Sequence, residues 1–126
     1  IAMDEITIQN GKAKRKDSFS IPNVFAPIIK DPDTAEQEGT VFIDKTPDHI
    51  VIQDKYPVAK THVLVIPKKD GETILDMPID AVGRLFFQAI KTAILTLNLQ
   101  QARLLVNVYP PNQEVPHVHL HIMSNT

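Results

Sequence analysis

His117, His119 and His121 stand at every second position of His117-Val118-His119-Leu120-His121-Ile122. Successive side chains of a β-strand point to opposite faces. In an extended segment the three imidazoles therefore share one face, and Val118, Leu120 and Ile122 share the other. The apolar set can enter a core while the rings stay accessible. Residues two apart on a strand sit roughly 6.5–7 Å from each other, close enough for three rings to surround one phosphate-sized anion. Two chemistries suit such a row: phosphoryl transfer through an imidazole, or metal binding. A neutral imidazole with a free ring nitrogen is a good nucleophile toward phosphorus. Repulsion between like charges keeps at least one ring neutral near pH 7. A protonated neighbour is then expected to stabilise developing charge. Two histidines at i and i+2 on a strand are equally a zinc arrangement, with His62 or Glu114 as a further ligand.

The segment entering the row, residues 107–116, is a polar loop, and no lysine or arginine follows Arg103. A phosphate bound there would be held by backbone N–H groups, amides and imidazoles instead of a basic clamp. Glu114 is unfavourable beside an anion unless it points away or engages a histidine.

The elements that must position these residues are readable. Residues 40–44, 49–53, 61–66, 103–108 and 117–122 are β-branched or apolar runs bounded by Pro, Gly and Asp, the pattern of strands. His49 reads as an ordinary strand-surface residue. Between the third and fourth runs, Val82, Leu85, Phe86, Ala89, Ile90, Ala93, Ile94 and Leu97 recur at helical spacing, so one amphipathic helix is expected. Asp76 is its expected N-cap, with Pro78 in the first turn. Phe87 and Leu95 fall off the apolar stripe. Residues 30–39 read as turn-rich. Short connections favour an antiparallel meander for the first three strands. The expected class is α+β: a mainly antiparallel five-stranded sheet with one long helix packed on it.

A chain of 126 residues suggests one domain. The formal charge of −2 gives no field for nucleic acid or an anionic membrane. There are no cysteines, which removes disulfides and thiolate metal sites and fits a cytoplasmic location. No apolar run approaches the roughly 20 residues of a membrane span. Residues 1–20 are polar and mixed in charge and read as a flexible arm, with Ile1-Ala2 set aside ahead of a start at Met3. Residues 21–126 form the expected domain.

Residues Gln113-Glu114-Val115-Pro116-His117-Val118-His119-Leu120-His121-Ile122 resemble the signature of the histidine-triad (HIT) superfamily of nucleotide hydrolases and transferases. Thr61-His62-Val63-Leu64-Val65-Ile66-Pro67-Lys68-Lys69 resembles the second block of its nucleotide-binding, phosphoramidase-like branch. The resemblance covers about residues 24–122. It implies that His119 is the nucleophile on the α-phosphorus, that His117 orients it through its backbone carbonyl, and that His121 contacts phosphate oxygens. His62 would pack beside the triad. Gln113 and Asn107 match phosphate- or ribose-binding positions, and Asp54 a residue that takes the ribose hydroxyls. Phe25, Ile28 and Ile52 resemble the apolar walls around the base. Homodimers paired through the long helix and an edge strand are also implied, and Phe87 and Leu95 are compatible with that.

Three departures stand out. Asn112 replaces a usual glycine, Glu114 replaces the Ser or Thr of many phosphoramidases, and the usual Pro-Arg after the triad and any C-terminal specificity tail are expected to be missing. The resulting expectation is a phosphoramidase or hydrolase that cleaves at the α-phosphate of a purine nucleotide conjugate through a nucleotidyl-histidine, with no metal or other cofactor required. The alternatives are a nucleotide-binding scaffold with little turnover and a zinc-dependent hydrolase.

Overall fold

β-Branched runs too short to bury themselves must pair, and here they do so in one antiparallel sheet. The computed structural model describes residues 6–9, 12–15 and 19–125. In chain order the strands of the sheet are β3 (Phe42–Lys45), β4 (His49–Gln53), β5 (Thr61–Pro67), β6 (Arg103–Leu105) and β7 (Leu120–Ser124). Their spatial order is β3-β4-β5-β7-β6. The first three form the expected meander, and β7 inserts between β5 and β6. Two further strands, β1 (Ile6–Gln9) and β2 (Lys12–Arg15), pair antiparallel by themselves. They fall within the stretch read as a flexible arm; its other residues up to 18 lie outside the described residues.

Register sorts the side chains. Val63 faces Ile122 and Val65 faces Leu120 across β5 and β7, while Leu64 faces His121. Ile50 faces Ile66 and Ile52 faces Leu64 across β4 and β5. Since side chains alternate between faces, one face carries Val51, Val63, Val65, Leu120 and Ile122. These pack with Leu85, Ala89 and Ala93 of the long helix into the larger core. The opposite face carries Ile50, Ile52, Leu64 and Ile66, which pack with Phe25 into a second core. His62 and His121 belong to this second face.

The long helix is α3 (Ile79–Ala89), which widens into a π-helical segment, Ile90–Thr96. Widening rotates later residues off a 3.6-residue stripe. Ile90, expected in the core, is 47% exposed, whereas Thr92 is buried. Phe87 and Leu95 are exposed. The helix starts later than expected. Pro78 is its N-cap, and Asp76 instead closes a capping box on Thr73 around the short 3-10 turn Ile74–Asp76.

Residues expected to be loop or turn contain two short helices, α1 (Ala26–Lys30) and α2 (Pro32–Gln37). Their prolines sit in the first turn, where no intrahelical N–H is needed. Asp31 caps α2 through Thr34 N–H, 3.2 Å. Two strands are shorter than expected. The fourth run pairs only over Arg103–Leu105, and the histidine run only from Leu120 onward. Among the described residues no helix is long and apolar enough to cross a membrane.

Candidate active site

Two rings of the row, His119 and His121, come together with His62, although of the row only His121 lies within the ladder. His119 and His121 have ring centroids 5.0 Å apart, and His62 joins from β5 with its centroid 5.2 Å from that of His121. His62 is brought in because it precedes Leu64 by two residues on the same face, diagonal to His121. His117 and His119 extend from the start of β7, anchored by Val118 N–H on the Gly71 carbonyl at 2.9 Å. Phe25 covers them: its ring meets His119 edge-on at 5.1 Å and His117 at 6.4 Å. His62, His117 and His119 are buried, and His121 is half-buried.

Hydrogen bonds fix which nitrogen of each ring carries the proton. The Asn23 side-chain oxygen accepts from Phe25 N–H at 3.1 Å, so its NH₂ group donates to His117 Nδ1 at 3.1 Å. His117 Nε2–H then donates to the Pro67 carbonyl at 2.7 Å. His119 Nδ1–H donates to the His117 carbonyl at 2.7 Å, which leaves a lone pair on His119 Nε2. Val58 N–H donates to His62 Nδ1 at 3.1 Å, so His62 carries its proton on Nε2. That proton faces His121 Nδ1 at 2.9 Å and Asp54 Oδ2 at 3.3 Å. His121 therefore accepts on Nδ1 and presents Nε2–H. The pair offers a nucleophilic lone pair on His119 beside an N–H donor on His121.

Burial disfavours the charged forms of His119 and His121. Desolvation pushes the His119 pKa below the ordinary histidine value, and the His117 carbonyl and Asp54 oppose it only in part. Desolvation, then His119 and His62, pushes His121 down to about 4. The protonated neighbour expected from the row is thus not found at His121, because burial and two adjoining rings disfavour its cation. Both shifts link stability to pH. The unfolded chain binds more protons than the folded one between the lowered values and about 6.5. Stability from these groups is complete above that value and is lost as pH falls toward about 4. Urea unfolding from pH 7 to 4 should show falling midpoints, with a shallower fall in His121→Gln. Equal slopes in both proteins would contradict this linkage.

The other expected site residues divide. Asp54 adjoins His62, and its Oδ1 accepts from Tyr56 N–H at 2.7 Å. Asn107 is half-buried, with its amide unengaged among the described residues. Phe25 and Ile52 are buried in the second core and Ile28 is partly buried against it, so all three sit on the histidine side of the sheet. Gln113 was expected at phosphate or ribose, but it is 1% exposed. Its Oε1 accepts from Tyr109 N–H at 3.0 Å, and Nε2 donates to the carbonyls of Glu72 and Val115. Both amide hydrogens are spent inside the protein, which leaves none for a ligand. Glu114 is exposed. It lines a hollow of about 390 Å³ with Ser20, Ile21, Pro110, Pro111 and Gln113. His49, read as a surface residue, is buried instead, with Nδ1 2.8 Å from Thr46 Oγ1 and Nε2 3.3 Å from Asp44. Asn23 and the Pro67 carbonyl escaped the sequence reading, since nothing in their spacing ties them to residue 117.

Asp54, His62 and His121 bring three potential metal-ligand atoms within 4.8 Å of one another. The donor set does not suit a cation as arranged. Val58 N–H occupies His62 Nδ1, so Nε2 holds the ring's one proton and has no lone pair to give. Glu114, the other candidate ligand, is exposed.

The α+β sheet and its histidine cluster are shared with known proteins. The HIT domain family model matches residues 34–126, and the chain belongs to that family. An uncharacterized HIT-like protein of Chlamydia muridarum is 33% identical over 94 residues, 69% of this chain and 75% of that protein. A solved structure described as a HIT-like protein superposes with a TM-score of 0.72 at 27% identity, covering 82% of this chain and 99% of the other. A HIT family hydrolase from Legionella pneumophila gives 0.69 at 29% identity over 82% and 92%. A hypothetical histidine triad nucleotide-binding protein from Sulfolobus tokodaii gives 0.65 at 30% identity over 79% and 66%.

Proposed function

We propose that this protein is a nucleotide phosphoramidase or hydrolase that cleaves at the α-phosphate of a purine nucleotide conjugate. The observation that carries the reading is the unprotonated Nε2 of His119, set by the 2.7 Å bond from its Nδ1–H to the His117 carbonyl. In the first displacement His119 Nε2 forms a bond to the α-phosphorus. The P–N or P–O bond to the leaving group breaks, its electron pair stays with the leaving group, and that group takes a proton from solvent. His121 Nε2–H donates to a phosphate oxygen as charge develops. Water then attacks phosphorus and gives up a proton to solvent, the N–P bond breaks, and His119 Nε2 regains its lone pair. No step uses a metal. Asp54 and Asn107 would serve the ribose and phosphate, and Phe25, Ile28 and Ile52 the base side.

Incubation with an adenosine phosphoramidate should release the nucleoside monophosphate, faster than from the cytidine analogue. Equal rates would overturn the purine preference. Nucleotide binding with release no faster than in His119→Ala protein would replace the enzyme by the scaffold reading, which the exposed Glu114 and Asn112 in place of glycine favour.

A homodimer belongs to the same proposal. Phe87 is 58% and Leu95 69% exposed on the outer side of the helical segment. Such apolar surface suits a second copy. Sedimentation should report a dimer for the wild type and a monomer for a Phe87→Glu/Leu95→Glu double variant. A wild-type monomer would remove this part of the proposal.

A further inference from the structure

The geometry points to Gln113 as a positioning residue that acts on His119 by holding the backbone of residues 115–117, whose His117 carbonyl takes the His119 proton. Gln113 Nε2–H donates to the Val115 carbonyl at 3.0 Å. The same carbonyl accepts His117 N–H at 2.8 Å. The His117 carbonyl, two bonds along the backbone from that N–H, then accepts His119 Nδ1–H at 2.7 Å. A single buried amide thereby fixes the peptide that follows Val115, the backbone of His117 and the proton-bearing nitrogen of the nucleophile.

The other bonds of Gln113 explain why the amide holds its place. Its Oε1 accepts Tyr109 N–H, and its own N–H donates to the Tyr109 carbonyl at 3.1 Å. Tyr109 has φ 68°, in the left-handed region that a bulky residue enters only when its surroundings require it. Glu72, whose carbonyl takes the remaining Nε2 hydrogen, lies beside Gly71, whose carbonyl holds Val118 N–H. Gln113 thus clamps both ends of the loop to the segment that also anchors the triad.

This role rests on the proposed function only for its kinetic consequence, so the primary test does not need turnover. In ¹⁵N-histidine-labelled wild-type protein, NMR should show His119 wholly as the Nδ1–H tautomer. Gln113→Met keeps the volume and removes every side-chain hydrogen bond; Gln113→Glu keeps the acceptor and loses both donors once ionised. In both variants His119 should become a mixture of tautomers while the other amide resonances keep native dispersion. With an adenosine phosphoramidate, kcat should fall by about 100-fold, the scale of a misplaced reacting group, with KM changed less than about threefold. Should Gln113→Glu not fold, Gln113→Met gives the same reading. A His119 that keeps its single Nδ1–H tautomer in a folded variant would overturn the proposal. An altered tautomer with no turnover even in the wild type would uphold the positioning and defeat the enzymatic reading instead.

Discussion

Replacement of His119 by alanine should lower nucleotide release from an adenosine phosphoramidate by about four orders of magnitude, as removal of a nucleophile does in other covalent mechanisms. Nucleotide affinity should stay within about threefold, because uniform binding is carried by groups that the change leaves in place. The size follows from the geometry. His119 Nε2 is the lone pair that the hydrogen bonds leave bare beside His121, whereas His117 spends both ring nitrogens on Asn23 and Pro67. His117→Ala should be milder, since the carbonyl that holds His119 belongs to the backbone. A fixed-concentration assay of both variants against wild type checks the order. His119→Ala retaining more than about a tenth of the rate would remove His119 from the chemistry.

Leu120→Ala should cost about 3–4 kcal/mol of stability, a large part of the roughly 5–15 kcal/mol that holds a domain together. Leu120 is fully buried, faces Val65 across β5 and β7, and lies in the core under α3. Few neighbours can close the resulting gap, because sheet and helix backbones fix both walls. Its side chain points away from the histidines beside it, so catalysis by the folded fraction should persist. Urea unfolding with a parallel activity assay separates the two effects. A loss below about 1 kcal/mol would mean that the space collapses or that Leu120 is less enclosed than described.

Most of the frame was legible because period-two and 3.6-residue patterns report burial directly. The alternation of His117–Ile122 put rings and apolar groups on opposite sides before any coordinates, and residues 49–53 matched β4 end to end. Where one residue's fate depends on distant backbone, the pattern falls silent. The π-helical segment that begins at Ile90 has no sequence mark of its own. Residues 30–39 read as turn-rich although they hold α2, because a helix of six residues is too short to show a period. His49 looked like a surface residue because its Thr46 and Asp44 partners come from a turn and a neighbouring strand. Gln113 stood out as part of a motif, yet its direction, inward onto Tyr109, Glu72 and Val115, is set by tertiary packing. The tautomers of His62 and His119 are set by backbone groups, which carry no residue-specific signature, and that of His117 by Asn23 and the Pro67 carbonyl, both distant in sequence.

The most direct test of the central claim is the stereochemical course at phosphorus. A nucleoside phosphorothioamidate of single configuration, turned over in water enriched in a heavy oxygen isotope, gives a product whose configuration counts the displacements. Attack by His119 followed by attack of water inverts phosphorus twice, so retention is the expected result. Inversion would mean that water attacks directly, and that the bare nitrogen of His119 is not the nucleophile.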